Sequence, residues 1–390
     1  MSFQTKKLKR VAILIESTRG YSRELIRGIA LFNREQSRWR IEYTPGSLSD
    51  LPSQWLKAWS GDGILARINT KPMVHALLRK KIPVVDLRRS FSHPNIPSVG
   101  PDDRSVIQML FDHFRSRGFT RFAFVGMTRN RHVAMDIRRD TCRELVQVHG
   151  LGFSDLEIET SDLGEKRFQT IKKLTAWLKR QPCQTAVIAS TDDLAIQVLN
   201  GCRLIERNVP NDLAVAGIGN DDCLCELALP TLTSVDLDPK QIGYRAAELL
   251  QKMMEEGHHP PKTLHFRPNR IVSRMSTDTI ATEDAVVSEA LRFIRSRAAD
   301  GVQVNDVLRH VHLSRVALEN RFKKSIGHTI FREILDVRLR KVRELLTTTD
   351  LPLKAVALQA GFDYPEYLMR IFREKYGETM KVFREHHRMK

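Results

Sequence analysis

Along the first two thirds of the chain, short apolar runs alternate with longer stretches in which apolar residues recur every three or four positions. The runs at residues 11–15, 63–66, 83–86, 122–126, 186–189 and 214–218 predict strands, and the spaced stretches at 23–33, 73–79, 106–117, 135–149, 168–179, 194–206 and 242–254 predict amphipathic helices. Strand and helix in this rhythm predict an α/β region of parallel sheets closed by right-handed crossovers.

The pattern changes in the last 106 residues, where a helix-turn-helix plan occurs twice. In the first copy, Val304, Val307, Leu308 and Val311 form an apolar stripe, His312 and Leu313 make a turn, and Ser314 is placed to cap a second helix that buries Leu318, Phe322 and Ile326. Its outward positions are Arg315, Val316, Glu319, Asn320 and Lys323. In the second copy the stripe is Leu353, Val356, Ala357 and Ala360, and the turn is Gly361 to Tyr364. Pro365 suits the first turn of the next helix. That helix buries Leu368, Ile371, Phe372 and Tyr376 and turns Glu366, Met369, Arg370 and Arg373 outward. The two units span about 304–326 and 353–376. A longer helix through Phe331, Ile334, Leu335, Val342, Leu345 and Leu346 holds them apart, so two recognition helices can enter successive major grooves roughly 34 Å apart. Outward arginines pair naturally with guanine, Asn320 with adenine, and Glu319 or Glu366 with the amino group of cytosine. One such unit with a charged outer face is an ordinary surface helix pair as readily as a DNA reader; two with matching turns point to double-stranded DNA.

Charge supports that reading. The chain carries +17, and residues 285–390 hold 21 Lys and Arg against 13 Asp and Glu, about half of the excess in about a quarter of the length. Such a concentration is the footprint expected against phosphates. The length of 390 residues implies two or three domains. Cys142, Cys183, Cys202, Cys223 and Cys225 form neither a paired framework nor a C-x-x-C, which suits a reducing cytoplasm and leaves no metal site expected. No apolar run reaches the ~20 residues that cross a bilayer, and Lys6, Lys7, Lys9 and Arg10 lead into a strand rather than a signal-peptide core.

In open parallel sheets, ligands sit beyond the carboxyl ends of the strands. Those ends carry Ser17 and Arg19, then Arg67, then Asp86 and Arg88, later Thr191 and Asp192, and later still Asn220 and Asp221, while Arg138 and Arg139 stand early in a helix able to face the same cleft. Paired donors and acceptors beside an apolar wall suit a polyol. Enzyme signatures are missing: Gly217 and Gly219 lack the third glycine of a dinucleotide fingerprint, and there is no G-x-S-x-G elbow or phosphate-binding loop. The pairs His258-His259 and His386-His387 fall in polar connecting or terminal sequence, so neither catalysis nor a cofactor is expected.

Residues 285–390 resemble the DNA-binding domain of AraC/XylS-family transcriptional regulators through Ala360-Gly361-Phe362, Tyr367-Leu368, Arg370, Phe372-Arg373, Gly377 and Phe383-Arg384; Met380 stands where that family usually has proline. The preceding region resembles the effector domain of LacI/GalR regulators, carried by residues 11–15, Gly118-Phe119 through Gly126, Arg138, 188–192 and the run 209–221. The resemblance implies a periplasmic-binding-protein-like domain of two Rossmann-like lobes over 1–275, a linker at 276–284 and the DNA-binding domain at 285–390. The pairing of the two resembles the group of xylose operon regulators. It implies a cytoplasmic, dimeric activator of sugar catabolic genes that binds an operator, contacts RNA polymerase and takes a pentose such as xylose as effector. The alternatives are another carbohydrate, or repression in place of activation. It also implies that Arg138, with Arg139 beside it, and the Asn220-Asp221 loop hold the sugar, together with Asp192; Ser17, Arg19 and Arg67 join them by position. Gly219 stands where that group usually has Asp, which leaves the identity of the sugar open.

Overall fold

The computed structural model describes residues 8–37, 39–43, 56, 58–91, 93–159, 165–257, 263–279, 281–282 and 284–387. Of the positions singled out in the sequence, Lys6, Lys7, His258 and His259 lie outside them, as do the side chains of His386 and His387. The chain divides into two compact units at Thr279 and Ile280.

The first unit begins with β1 (Arg10–Leu14), α1 (Gly20–Phe32), β2 (Arg40–Tyr43), β3 (Gly63–Ala66), α2 (Lys71–Leu78), β4 (Val84–Asp86) and β5 (Val99–Pro101). Strands β2, β1, β3 and β4 lie side by side in that order, all parallel. The sheet is covered on both faces: Val11, Ile13 and Val85 pack in a core with Leu25 and Ile29 of α1, while Ala12, Leu14 and Ile64 pack with Val74 and Leu77 of α2. Covering both faces is why these strands read as unbroken apolar runs rather than as alternation.

The second lobe contains α3 (Asp103–Arg115), β6 (Arg121–Met127), α4 (Val133–Val148), β7 (Gly152–Ile158), α5 (Glu165–Lys179), β8 (Thr185–Ala189), α6 (Asp192–Leu204), β9 (Leu213–Ile218), α7 (Asp222–Leu227) and β10 (Thr233–Asp236). The chain then returns to the first lobe as α8 (Pro239–Glu256), makes β11 (Leu264–Phe266) and re-enters the second as β12 (Arg270–Val272). The second sheet has the order β12-β10-β9-β8-β6-β7 and is parallel except for β12, while β5 and β11 pair as a separate two-stranded sheet. Helix α8 crosses α1 at backbone contact. A methyl group on Gly28 would stand 1.9 Å from the Lys240 carbonyl oxygen, and one on Gly243 would stand 2.1 Å from that of Leu25. Ile242, Ala246, Leu250 and Met253 of α8 thereby enter the core of the first lobe, about 210 residues downstream of α1.

After β12 the chain makes one 3-10 turn at Met275–Thr277, with Ser276 and Thr277 fully buried. The Ser276 hydroxyl donates to the Val215 carbonyl at 2.6 Å and accepts from the Thr233 amide at 2.9 Å. Residues 276–279, expected in a linker, therefore belong to the first unit: short polar side chains that read as connector are consumed in satisfying strand ends.

The second unit is all helical: α9 (Ala285–Arg297), α10 (Val304–Val311), α11 (Arg315–Ile326), α12 (Ile330–Thr348), α13 (Leu353–Gln359), α14 (Pro365–Tyr376) and α15 (Met380–His387). Helix α9 was not among the expected elements; Asp284 caps it by accepting from the amides of Val286 and Val287. There are two cores and one spine. Ile330 and Ile334 of α12 pack with α9, α10 and α11, and Leu339, Val342 and Leu346 pack with α13, α14 and α15. Phe331, expected on the buried side, is 51% exposed, because Ile330 and Ile334 take the inward face. Met380 is 2% exposed and fills the second core, and the hydroxyl of Thr379 accepts from the Val382 amide at 3.3 Å, so α15 starts without the proline.

Glu333, 2% exposed on α12, ties the first half together: its carboxylate meets His328 Nε2 at 2.9 Å, Arg295 at 3.3 Å and Arg340 at 3.6 Å. Burial alone would raise its pKa, but the His328 hydrogen bond and the two arginine charges outweigh burial and hold it at about 2. A carboxyl depressed on folding stabilises at pH above its ordinary value near 4.5, and that contribution is lost as pH falls through the folded value. Acid titration of Glu333→Gln, followed by helical circular dichroism of the second unit, is expected to show lower stability at pH 7, by about 3 kcal/mol for a broken buried pair. Its stability is expected to fall less between pH 4.5 and 2 than that of the unmutated protein; parallel curves would contradict the assignment.

Candidate functional site

Strand ends of the first unit converge on a cavity of about 110 Å³ between its lobes. At 10–15 Å³ per water position this holds on the order of eight waters, comparable to the skeleton of a small monosaccharide. Arg19, Tyr21, Arg67 and Arg88 come from the first lobe, and His132, Arg138, Asp192, Gly219 and Asp221 from the second. Leu87, Ile218, Leu224 and Leu237 supply apolar wall. The Arg67 guanidinium lies over the Tyr21 ring, 5.5 Å from its centroid.

Nearly every charge here is already engaged. Arg67 pairs with Glu16 and donates to the Ser22 hydroxyl at 2.6 Å. Arg138, 4% exposed, donates to Asp103 at 2.7 Å and to the Ser190 carbonyl at 2.7 Å. Asp192 accepts from the Ser234 hydroxyl at 2.5 Å and the Asp221 amide at 2.9 Å; burial exceeds these in effect and raises its pKa to about 6. Asp86 sits just behind the wall. Burial likewise raises its pKa to about 6 against amide donors from Ile68, Arg88 and Arg89. His132 is held neutral, its pKa pushed down to about 3 by burial and then by Arg88, Arg138, Arg67 and Arg89. Two buried polar atoms of lining residues, Arg67 Nε and His132 Nδ1, have no protein partner among the described residues. An orphaned buried donor is costly unless a ligand or water meets it.

The strand-end residues are sorted by this geometry. Arg138, Asp192, Asp221, Arg19 and Arg67 line the cavity. Arg139 does not: one residue further along α4, it is fully buried on the other side against Glu157 at 3.1 Å, Asp136 at 3.6 Å and Asp155 at 3.7 Å. Ser17 is not in the lining either; its carbonyl accepts from Arg23. Asn220 is also outside it, with its side-chain oxygen accepting from Arg274 at 3.0 Å. Tyr21 and His132 line the cavity without having been singled out, since neither stands at a strand end.

Asp221 has a further role. It precedes α7 but makes no side-chain cap there; its carboxylate instead accepts from the Gly20 amide at 2.7 Å, across the cleft at the start of α1. The N-cap of α1, Arg19, has no side-chain acceptor to cap with, so a carboxylate of the opposite lobe meets this helix end. Arg19 and Asp193, 3.4 Å apart, add a second bridge, and the Ser90 hydroxyl and His132 Nε2, 3.1 Å apart, a third.

In the second unit, Ser314 caps α11 as expected, its hydroxyl accepting from the Ala317 amide at 3.4 Å. Arg315, Val316, Asn320 and Lys323 are exposed on one helix, and Glu366, Met369, Arg370 and Arg373 on the other, with Pro365 half-buried at the first helical position. Glu319 is half-buried and accepts from the Ile330 amide at 3.4 Å, so its carboxylate serves the start of α12 rather than standing free. The apolar Val316, 71% exposed, and Met369, 44% exposed, stand beside Arg315 and Arg370 on these faces. The halves are locked at the second turn. A methyl group on Gly361, which has φ of +79°, would stand 2.5 Å from the Ala298 carbonyl oxygen, and Arg338 of α12 donates to the carbonyls of Ala298 at 3.0 Å and Val302 at 2.8 Å while lying 5.7 Å from the Phe362 ring.

Three families match successive stretches of the chain: the XylR N-terminal domain over residues 10–103, a periplasmic binding protein-like domain over 111–277 and a helix-turn-helix domain over 307–386. The xylose operon regulatory protein of Escherichia coli (strain K12) is 29% identical over 388 residues, covering 97% of each chain. That of Haemophilus influenzae is 29% identical over 391 residues, covering 97% of this chain and 99% of its own. A solved structure of the xylose-binding transcription activator XylR superposes with a TM-score of 0.79 at 29% identity, covering 98% of this chain and all of the other. A LacI family regulator from Enterococcus faecium with bound ribose shares the fold of the first unit, with a TM-score of 0.58 at 20% identity over 70% of this chain. These relatives are transcription regulators, not enzymes, and among the described residues no helix is long and apolar enough to cross a membrane.

Asp221→Ala removes the acceptor that holds the start of α1, a charge-assisted bond of about 1.5 to 3 kcal/mol. Gly20→Ala drives the same carboxylate away, since the new methyl would stand 2.7 Å from it. Both substitutions are expected to weaken effector binding about tenfold, while the thermal midpoint of the ligand-free protein moves by only a few degrees. Calorimetric titration decides, and unchanged affinity in both variants would remove the cross-cleft contact from the binding mechanism.

Proposed function

The chain is a helix-turn-helix transcription regulator with a periplasmic-binding-protein-like unit at its front, and we propose that it responds to a pentose such as xylose by activating genes for that sugar's catabolism. The cavity carries this reading: guanidinium and carboxylate groups of both lobes converge on a space the size of a small sugar, beside an aromatic ring. Sugar hydroxyls donate and accept together, so they can meet the unpartnered Arg67 Nε and bridge the cationic and anionic sides of the cavity. Xylose is favoured by the names of relatives that match nearly the whole chain. Gly219, which leaves one wall of the cavity without a side chain, favours a different small sugar as the second reading.

Binding the sugar stabilises the arrangement in which the lobes meet. Two chains pair in the cytoplasm, their DNA-binding units cover adjacent half-sites of an operator, and the bound complex contacts RNA polymerase. The ligand acts only as far as it prefers one arrangement over the other.

Two measurements test this. A thermal-shift panel of pentoses and hexoses is expected to show stabilisation by xylose of about 2.7 kcal/mol at one hundred times its dissociation constant; a shift by another sugar reassigns the effector, and none by any sugar refutes the sensor. For the DNA, Arg315→Ala and Arg370→Ala are each expected to cost about 1 to 3 kcal/mol in binding to duplexes selected by the unmutated protein from a random pool. Wild-type affinity in both folded variants would rule out these helices as readers.

A further inference from the structure

The loop after β9 has two faces. Gly219 and Asp221 line the cavity, whereas Asn220 between them does not, and its φ of +49° accompanies this reversal. Its amide donates to the Ser234 hydroxyl at 3.0 Å, and its side-chain oxygen accepts from Arg274 Nη1 at 3.0 Å. Arg274 is a junction of several contacts. Its Nε donates to Glu226 at 2.7 Å, its Nη1 also donates to the Leu232 carbonyl at 2.9 Å, and its amide donates to the Thr233 hydroxyl at 2.7 Å. Its side chain is only 10% exposed. Immediately after it comes the turn Met275–Thr277, the last element of the first unit before the chain enters the DNA-binding unit at Ile280.

We propose that Arg274 is the coupling residue of this regulator: through Asn220 it carries the state of the effector loop to the turn that leads into the DNA-binding unit. The inference rests on the reading of the cavity as an effector site. When a ligand draws on Gly219 and Asp221, the backbone between them moves as a unit, and Asn220 faces the opposite way with its oxygen on the guanidinium. Because the Thr233 hydroxyl of β10 meets both the amide and the carbonyl of Arg274, and Ser276 two residues on bonds to β9 and β10, displacement of the guanidinium is felt at the turn and not dissipated in solvent. Arg274 touches neither ligand nor DNA in this scheme, so losing it separates two events that are otherwise linked.

Asn220→Ala and Arg274→Gln cut the same contact from its two ends. Each full-length variant is titrated with the sugar that stabilises the unmutated protein, D-xylose being the first probe, and then with selected operator duplex in the presence and absence of that sugar. In the unmutated protein, the sugar is expected to change operator affinity about tenfold. In both variants sugar affinity is expected to stay within about threefold, while its effect on operator affinity shrinks toward none; reciprocally, operator ceases to change sugar affinity. An undiminished effect of sugar in the variants overturns the proposal. So does loss of sugar binding in both, which would place the pair in the effector site itself. Where Arg274→Gln does not fold, Asn220→Ala gives the same reading. Failure of the unmutated protein to respond to any sugar counts against the effector reading. The link itself is then read by amide hydrogen exchange: residues 275–279 exchange faster in Asn220→Ala if the loop holds the turn, and an unchanged rate overturns it.

Discussion

In the first unit, Arg67 and Arg138 at the cleft and Arg139 behind it lose nearly all their hydration, and an ion stripped of water persists only where opposite charge and hydrogen bonds replace it. Much of the architecture follows from that demand. Glu16 stands at the end of β1 facing Arg67, Asp103 opens α3 facing Arg138 and Arg89, and the carboxylates of β7 lie under Arg139. Because these partners come from separate elements, and in the Arg89–Asp103 pair from separate lobes, the charges fix how strands, helices and lobes meet. Apolar packing alone would leave such freedom of arrangement.

The same economy places the cavity. Its arginines are held by fixed partners, so a ligand entering does not have to organise them, and the cost of ordering long side chains has been met on folding. What stays open is limited to a few atoms, such as Arg67 Nε, and to the bridges across the cleft formed by Asp221 and Asp193. A small neutral polyol suits this arrangement better than a highly charged molecule, since the paired groups offer hydrogen bonds without a large net charge to neutralise.

In the DNA-binding unit the governing feature is one long helix shared by two cores. Ile334 belongs to the first and Leu339 to the second, about 1.4 turns further on, so α12 cannot tilt relative to one without disturbing the other. Glu333 anchors it on one side, and Arg338 with Gly361 closes the second turn against Ala298. The result is a fixed separation of the two helix-turn-helix units, a constraint that a reader of two grooves of one duplex would need.

The alternation of runs and spaced stretches determined six of the twelve strands among the described residues, every helix of the first unit but the short α7, and the two helix-turn-helix units with the Ser314 cap, because periodicity and capping are local and leave local signs. Weak local signs hid β2, β5, β10, β11, β12 and α7, which are short, β7, whose apolar positions are interrupted by Ser154, Asp155 and Glu157, and α9, whose stripe lies next to a polar connector. Tertiary structure alone decided the rest. It sent α8 back onto α1 through Gly28 and Gly243, and it turned Arg138 to the cavity while Arg139, a helical step of about 100° away, went to the opposite side. It also gave Glu319 to the start of α12 and Asn220 to Arg274. Each of these depends on which partner stands a few ångströms away, and partners distant in sequence leave no periodic trace in either segment that meets.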